Sequence, residues 1–171
     1  MGKRSDKPRV ERDFYPTPEH AVLPLLDHLP EDATFDEPCA GNGALIDHLE
    51  KHGRNCRLAI DIVPQRDDIG WGNAFDISGC LGDCFITNPP YKWEILDKLI
   101  PHLYRMAPTF LLLPADMMHN IRVAPHMEHC LKVISVGRVK WFGNVTGMEN
   151  SAWYLFHADN DIATIFYGRS I

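Results

Sequence analysis

Three short segments carry the residues of this chain that could do chemistry. The first is Asn88-Pro89-Pro90-Tyr91, which follows the apolar stretch Cys84 to Thr87. Asn-Pro and Pro-Pro pairs punctuate chains wherever they occur, so a turn is one reading. Position supports another. At the carboxyl end of a buried strand two prolines fix the backbone, and an Asn amide and a backbone carbonyl then aim rigidly at one place. Tyr91 would add a ring on which a planar substrate stacks. The second segment is Glu37-Pro38-Cys39-Ala40-Gly41-Asn42-Gly43. Gly41 and Gly43 would let a ligand approach the backbone and would expose amides at the start of the next helix, although an ordinary strand-to-helix turn also uses two glycines. The third is Asp61, 24 residues beyond Glu37 in Ala59-Ile60-Asp61-Ile62. An acid at that distance can accept from both ribose hydroxyls of a nucleoside cofactor. The last two segments together point to nucleotide-type binding.

Such residues act only if a scaffold gathers the strand ends. A helix is expected from Thr17, which could cap it, and Pro18, which could start it, with Ala21, Val22, Leu25, Leu26 and Leu29 inward and Pro24 kinking or splitting it. Strands are expected at Thr34 to Asp36, Cys56 to Ile60, Cys84 to Thr87 and Thr109 to Leu113. Between them lie a helix with Ala44, Leu45, Ile46 and Leu49 inward, stopped by Gly53, and a second with Trp93, Leu96, Leu99, Ile100 and Leu103, interrupted at Pro101. Leu131 to Val136, Ala152 to Phe156 and Ile162 to Tyr167 read as strands, the last two forming a hairpin through Asp159-Asn160-Asp161. The pattern is a doubly wound α/β fold: a mostly parallel sheet closed by an antiparallel edge. Ligands of such sheets bind beyond the carboxyl ends of the strands, where all three segments fall.

Composition narrows the function classes. The chain has 171 residues, 45% hydrophobic and 23% charged, which suits one domain. A net charge of -6 excludes a globally basic nucleic-acid binder while allowing a local basic groove. The longest strongly apolar run, Phe110 to Leu113, is far shorter than a membrane helix, and no signal sequence is evident, so a soluble protein is expected. Five dispersed cysteines fit reduced thiols and a cytoplasmic location. Met1 to Asp13, with Lys3, Arg4, Lys7, Arg9 and Arg12, reads as a mobile, solvated basic arm that could also touch phosphate. Cys80 and Cys84 read as packing residues, and His48, His52, His126 and His129 as helix-surface residues, so no metal is expected. Arg138 and Lys140 are either phosphate contacts or the wet face of a strand.

The sequence resembles the S-adenosylmethionine-dependent amino methyltransferases, above all the small phage and bacterial Dam-type DNA adenine N6-methyltransferases, over most of Asp13 to Tyr167. Asn88 to Tyr91 matches their Asn-Pro-Pro-Tyr signature, and Tyr15-Pro16-Thr17-Pro18 their aromatic-x-Thr-Pro motif. The acidic-Pro-x-x-Gly-x-Gly loop falls on Glu37 to Gly43, the ribose-binding acid on Asp61 beside Ile62, and the adenine-contacting segment on Gly72-Asn73-Ala74-Phe75. Many relatives carry Asp where this chain has Asn73. Gly137-Arg138-Val139-Lys140-Trp141-Phe142 is similar to a Gly-Arg-x-Lys-aromatic segment of the Dam-type group.

This resemblance implies a Rossmann-like class I methyltransferase fold with S-adenosylmethionine as cofactor. Tyr15, Thr17, Pro18, Glu37, Pro38, Cys39, Ala40, Gly41, Gly43, Asp61, Ile62, Asn73, Ala74 and Phe75 would bind it. Asn88, Pro89, Pro90 and Tyr91 would be catalytic, the Asn88 oxygen and Pro89 carbonyl each accepting one hydrogen of adenine's N6 amine. Duplex DNA with a flipped adenine, or single-stranded DNA, would be the partner, held by Tyr91, Arg138, Lys140, Trp141 and Phe142, with Trp153 as a further wall. No separate recognition domain is expected in 14–171, which implies short or low sequence specificity, or a homodimer that shares the task. The same signature also serves methylation of an RNA base amine or a protein glutamine amide. A silent, cofactor-binding or inhibitory phage protein is the remaining alternative.

Overall fold

The computed structural model describes residues 15–141, 149–159 and 162–169. The expected basic arm, Phe142 and the centre of the Asp159 to Asp161 turn lie outside the described residues. Eight strands form one sheet in the order β3-β2-β1-β4-β5-β7-β6-β8. They are β1 (Thr34–Glu37), β2 (Asn55–Asp61), β3 (Gly70–Trp71), β4 (Cys84–Thr87), β5 (Thr109–Pro114), β6 (Cys130–Arg138), β7 (Asn150–Phe156) and β8 (Ile165–Tyr167). The helices are α1 (Glu19–Leu26), α2 (Ala44–Lys51), α3 (Trp93–Tyr104) and α4 (Ala124–Met127). Among the described residues no helix is long and apolar enough to cross a membrane.

Strands buried on both faces become continuous apolar runs, and β4 and β5 read that way because helices cover both sides. Side chains alternate across the sheet. Phe110 and Leu112 of β5 join Trp153 and Leu155 of β7 beneath α1 and α2. Leu111 and Leu113 join Tyr154 and Phe156 beneath Leu96, Leu99, Ile100 and Leu103 of α3. Strand order reverses between β1 and β4, which pair in parallel with Phe35 opposite Cys84 and Asp36 opposite Phe85. The residues that follow these two strands, Pro38 and Asn88, therefore emerge side by side at the switch point of the sheet.

Several expectations are corrected. The antiparallel hairpin is β6 with β7, whereas β8 pairs in parallel with β6 and not with β7. Burial gives the reason: β7 is buried from Ser151 to Phe156 and needs a strand on each side, while β8 leaves Ile165 and Phe166 exposed and suits an edge. Neither proline splits its helix. α1 runs through Pro24, and α3 through Pro101 to Tyr104, where Ile100, Leu103 and Tyr104 are buried and their burial offsets the missing hydrogen bond. Thr17 does not cap α1; Pro18 occupies the N-cap position. Trp153 is fully buried and its indole Nε1 donates to the Ala21 carbonyl at 2.7 Å, so it is a core pin for α1 and no wall for a substrate. His126 is likewise buried, its ring against Trp93 and its Nε2 3.3 Å from Asp97, rather than on a helix surface.

Candidate active site

The loop that leaves β1 folds back on β2. The Ala40 amide donates to the Ile60 carbonyl at 3.0 Å, and the Gly41 amide to Asp61 Oδ2 at 2.8 Å. The other Asp61 oxygen accepts from the Val63 amide at 2.8 Å, and the Gln65 amide closes on the Gly41 carbonyl at 3.0 Å. Gly41 and Gly43 both have positive φ, 55° and 77°, which glycine adopts without strain. Their surroundings differ. Gly41 borders the cavity described below, whereas Gly43 lies under the guanidinium of Arg66, which a Cβ would strike. Arg66 is fixed there by Asp47 at 2.7 Å and by Asp68. Gly43 thus makes room for an arginine rather than for a ligand.

Glu37, at the end of β1, is buried, and its Oε2 has no hydrogen-bond partner among the described residues. Burial pushes its pKa well above the ordinary carboxylate value, the nearby Asp61 and Asp47 add to the rise, and Arg66 opposes it. Burial, with Asp61 and Glu37 adding to it, pushes the Cys39 thiol up to about 12, so Cys39 is an inert wall.

The Asn-Pro-Pro-Tyr turn follows β4, the parallel neighbour of β1. Asn88 Nδ2 donates to the Tyr15 carbonyl at 3.2 Å and to the Thr17 hydroxyl at 3.1 Å, and Tyr91 donates its hydroxyl to Asn88 Oδ1 at 3.1 Å. The segment before α1 is therefore built onto the turn after β4. A cavity of about 540 Å³ is lined by residues of both loops. Tyr15, Thr17, Asn88 and Pro90 line it, as do Glu37, Pro38, Cys39, Ala40 and Gly41. Asp61, Ile62, Asn73, Ala74 and Phe75 line it too. Asn73 Oδ1 accepts from the Phe75 amide at 3.1 Å and so caps the short 3-10 turn Ala74–Asp76. Its Nδ2 is a donor, which an Asp could not supply.

Other expected site residues stand outside these walls. Pro18 begins α1, and Pro89 fixes the turn between Asn88 and Pro90. Trp141 is drawn to the site through Tyr15, with ring centroids 5.9 Å apart. Arg138 ends β6, and the Lys140 amide donates to His20 Nε2 at 3.3 Å. Asn42, Val63, Gln65, Ile95 and Leu99 also line the cavity, unforeseen from sequence. Leu99 reads simply as the inner face of α3 and Ile95 was not singled out, while Val63 and Gln65 were signalled only by following Asp61.

No family model matches the sequence, and no curated protein sequence matches it. Solved structures do match its fold. One, from Pyrococcus horikoshii and assigned as an RNA methyltransferase, aligns over 89% of this chain and 90% of its own at 15% identity and a TM-score of 0.59. A Listeria monocytogenes protein assigned as a class I S-adenosylmethionine-dependent methyltransferase aligns over 95% and 68%, at 12% identity and 0.60. The methyltransferase subunit of a type I restriction-modification system from Streptococcus thermophilus aligns over 86% and 45%, at 10% identity and 0.56. The α/β architecture is thus that of the class I methyltransferases.

Proposed function

We propose that this protein transfers a methyl group from S-adenosylmethionine to the N6 amine of adenine in DNA, with short or low sequence specificity. The observation that carries the reading is the Asn88 amide, held by Tyr15 and Thr17 at the carboxyl end of β4 on the wall of the cavity.

The residues of the cavity fit the cofactor. Glu37 presents a buried, unpartnered carboxylate oxygen suited to an ammonium, and Asp61 a carboxylate suited to ribose hydroxyls. Ile62, Phe75 and Leu99 supply apolar walls for a planar base, with the Asn73 amide beside them. When bound, S-adenosylmethionine supplies an electrophilic methyl group. The chain's own task is to prepare the acceptor. Adenine's exocyclic amine is a poor nucleophile because its lone pair is delocalised into the ring. Asn88 Oδ1 accepts one of its hydrogens and the Pro89 carbonyl the other, which favours the pyramidal amine and aims its lone pair into the cavity. The Tyr91 ring stacks on the base and offsets part of the few kcal/mol, roughly, that unstacking it costs. Trp141, packed on Tyr15, forms the next wall, and Arg138 and Lys140 take backbone phosphate.

Both the Tyr15 to Pro18 and the Gly137 to Phe142 segments favour DNA. The likeness to an RNA methyltransferase assignment supports a second reading, an RNA adenine amine at the same site. Incubation with S-adenosylmethionine and unmodified DNA or RNA, followed by nucleoside digestion and mass spectrometry, separates them. N6-methyladenine in DNA, absent with Asn88→Ala, is the expected result; the modified base in RNA alone transfers the assignment to RNA.

A further inference from the structure

We propose that Thr17 is a positioning residue: its hydroxyl, with the Tyr15 carbonyl, holds the Asn88 side-chain amide with the oxygen, and not the nitrogen, turned to the amine that is methylated. The inference rests on the methyl-transfer reading above and assigns Thr17 a task other than contact with the cofactor.

The two ends of an Asn side chain have nearly the same shape, and only their hydrogen-bonding partners decide which way it points. Methyl transfer to an amine needs the acceptor end. A hydroxyl cannot decide the matter alone, because it donates or accepts, and the Thr17 and Tyr91 hydroxyls are both of this kind. The Tyr15 carbonyl breaks the tie. It is an acceptor only, 3.2 Å from Asn88 Nδ2, and a flipped amide would set two oxygens against each other there. Thr17 Oγ1, at 3.1 Å, then offers the second acceptor for an amide nitrogen that carries two hydrogens. With both acceptors on Nδ2, Oδ1 is left to the Tyr91 hydroxyl and the substrate.

The surroundings suit a fixed device. Thr17 is 4% exposed, so water does not replace its hydroxyl if it is removed. It sits between Pro16 and Pro18, which restrict the backbone on both sides and set Thr17 itself toward the extended region. The N-cap of α1 is Pro18 and not Thr17, whose hydroxyl accepts from Asn88 Nδ2. Behind it, Trp153 pins α1 through the Ala21 carbonyl, and Arg54 donates to the carbonyls of Leu26 at 2.9 Å and Leu29 at 3.2 Å. Trp153 thus references the helix near its start to the sheet from which Asn88 emerges, and Arg54 holds its other end.

The test compares Thr17→Val, which keeps the shape and loses the hydroxyl, with Thr17→Ser, which keeps the hydroxyl. Thr17→Val is expected to lower kcat roughly tenfold or more while leaving S-adenosylmethionine affinity within about twofold, and Thr17→Ser to restore most of kcat. Weakened cofactor binding with kcat at saturation unchanged would overturn the proposal and make Thr17 a cofactor contact. A readout free of any substrate separates this idea from the methyl-transfer reading. With nitrogen-15 in the Asn side chains, and Asn88→Asp to assign the signal, the Asn88 amide hydrogens should exchange slowly with solvent. Thr17→Val should speed that exchange at least about tenfold, with Thr17→Ser near wild type. This result would stand even if DNA, RNA and protein acceptors all failed. Free exchange in the wild type, or exchange indifferent to Thr17→Val, overturns it.

Discussion

Asn88 and Glu37 face one cavity from neighbouring parallel strands, yet their surroundings are opposite in kind. Asn88 is neutral, with hydrogen-bond partners on both Nδ2 and Oδ1. Glu37 is an acid buried with one oxygen unpartnered among the described residues, and that burial, then its acidic neighbours, favour its protonated form. A satisfied amide is rigid and ready; an unsatisfied carboxylate is a cost carried until a cation arrives. On the proposed function, geometry belongs to the β4 residues of the cavity and affinity to the β1 residues.

Substitutions should therefore separate rate from binding. The largest effect belongs to Asn88→Ala, which removes a group aimed at the reacting atom and should lower methyl transfer by about 10²–10³-fold, with cofactor affinity nearly unchanged. Glu37→Gln should do the reverse, weakening cofactor binding roughly tenfold in titration calorimetry while sparing the rate at saturation. The same variant tests the cost of the buried acid. Because the folded state holds the Glu37 proton more tightly than the unfolded chain, stability is lost as pH rises from the ordinary 4.5 through the raised value. Glu37→Gln should abolish that loss and raise the melting temperature above pH 7 by a few degrees, ~2–4 °C. Cofactor affinity in the wild type should rise over the same pH range, since an ammonium favours the ionised acid, and in Glu37→Gln it should stay flat.

Smaller effects sharpen the acceptor end. Tyr91→Phe keeps the ring and should cost only a few-fold, whereas Tyr91→Ala should cost roughly ten- to a hundredfold, mostly in KM for the polymer, because base stacking is worth about 1–3 kcal/mol. Arg138→Ala and Lys140→Ala should raise KM modestly for every sequence alike, each reducing the salt slope of binding by about 1.

Those parts of the molecule governed by local pattern were legible in its sequence. β4 and β5 are apolar runs between turn residues, and Gly53, with φ of 84°, ends α2 as its position suggests. What depends on distant partners was not. β8 is three residues long, and nothing in Ile165, Phe166 and Tyr167 tells whether β6 or β7 is its neighbour. Pro24 and Pro101 break local rules that burial outweighs. At the candidate site, Asn88, Glu37, Gly41 and Asp61 stood out because motif and strand end coincide, and all four line the cavity. Thr17 read as a helix cap, and its bond to Asn88 spans 71 residues of sequence. Gly43 read as a ligand contact, and only the arrival of Arg66 from the loop after β2 shows what its missing side chain accommodates.

The most direct test of the account follows a tritiated methyl group from S-adenosylmethionine into unmodified DNA, with wild type and Asn88→Ala, while cofactor affinity is measured on the same samples. The account predicts labelled N6-methyladenine from the wild type and none above background from Asn88→Ala, at affinities within about twofold of each other. Equal labelling by both proteins, or label lost only together with cofactor binding, would contradict it.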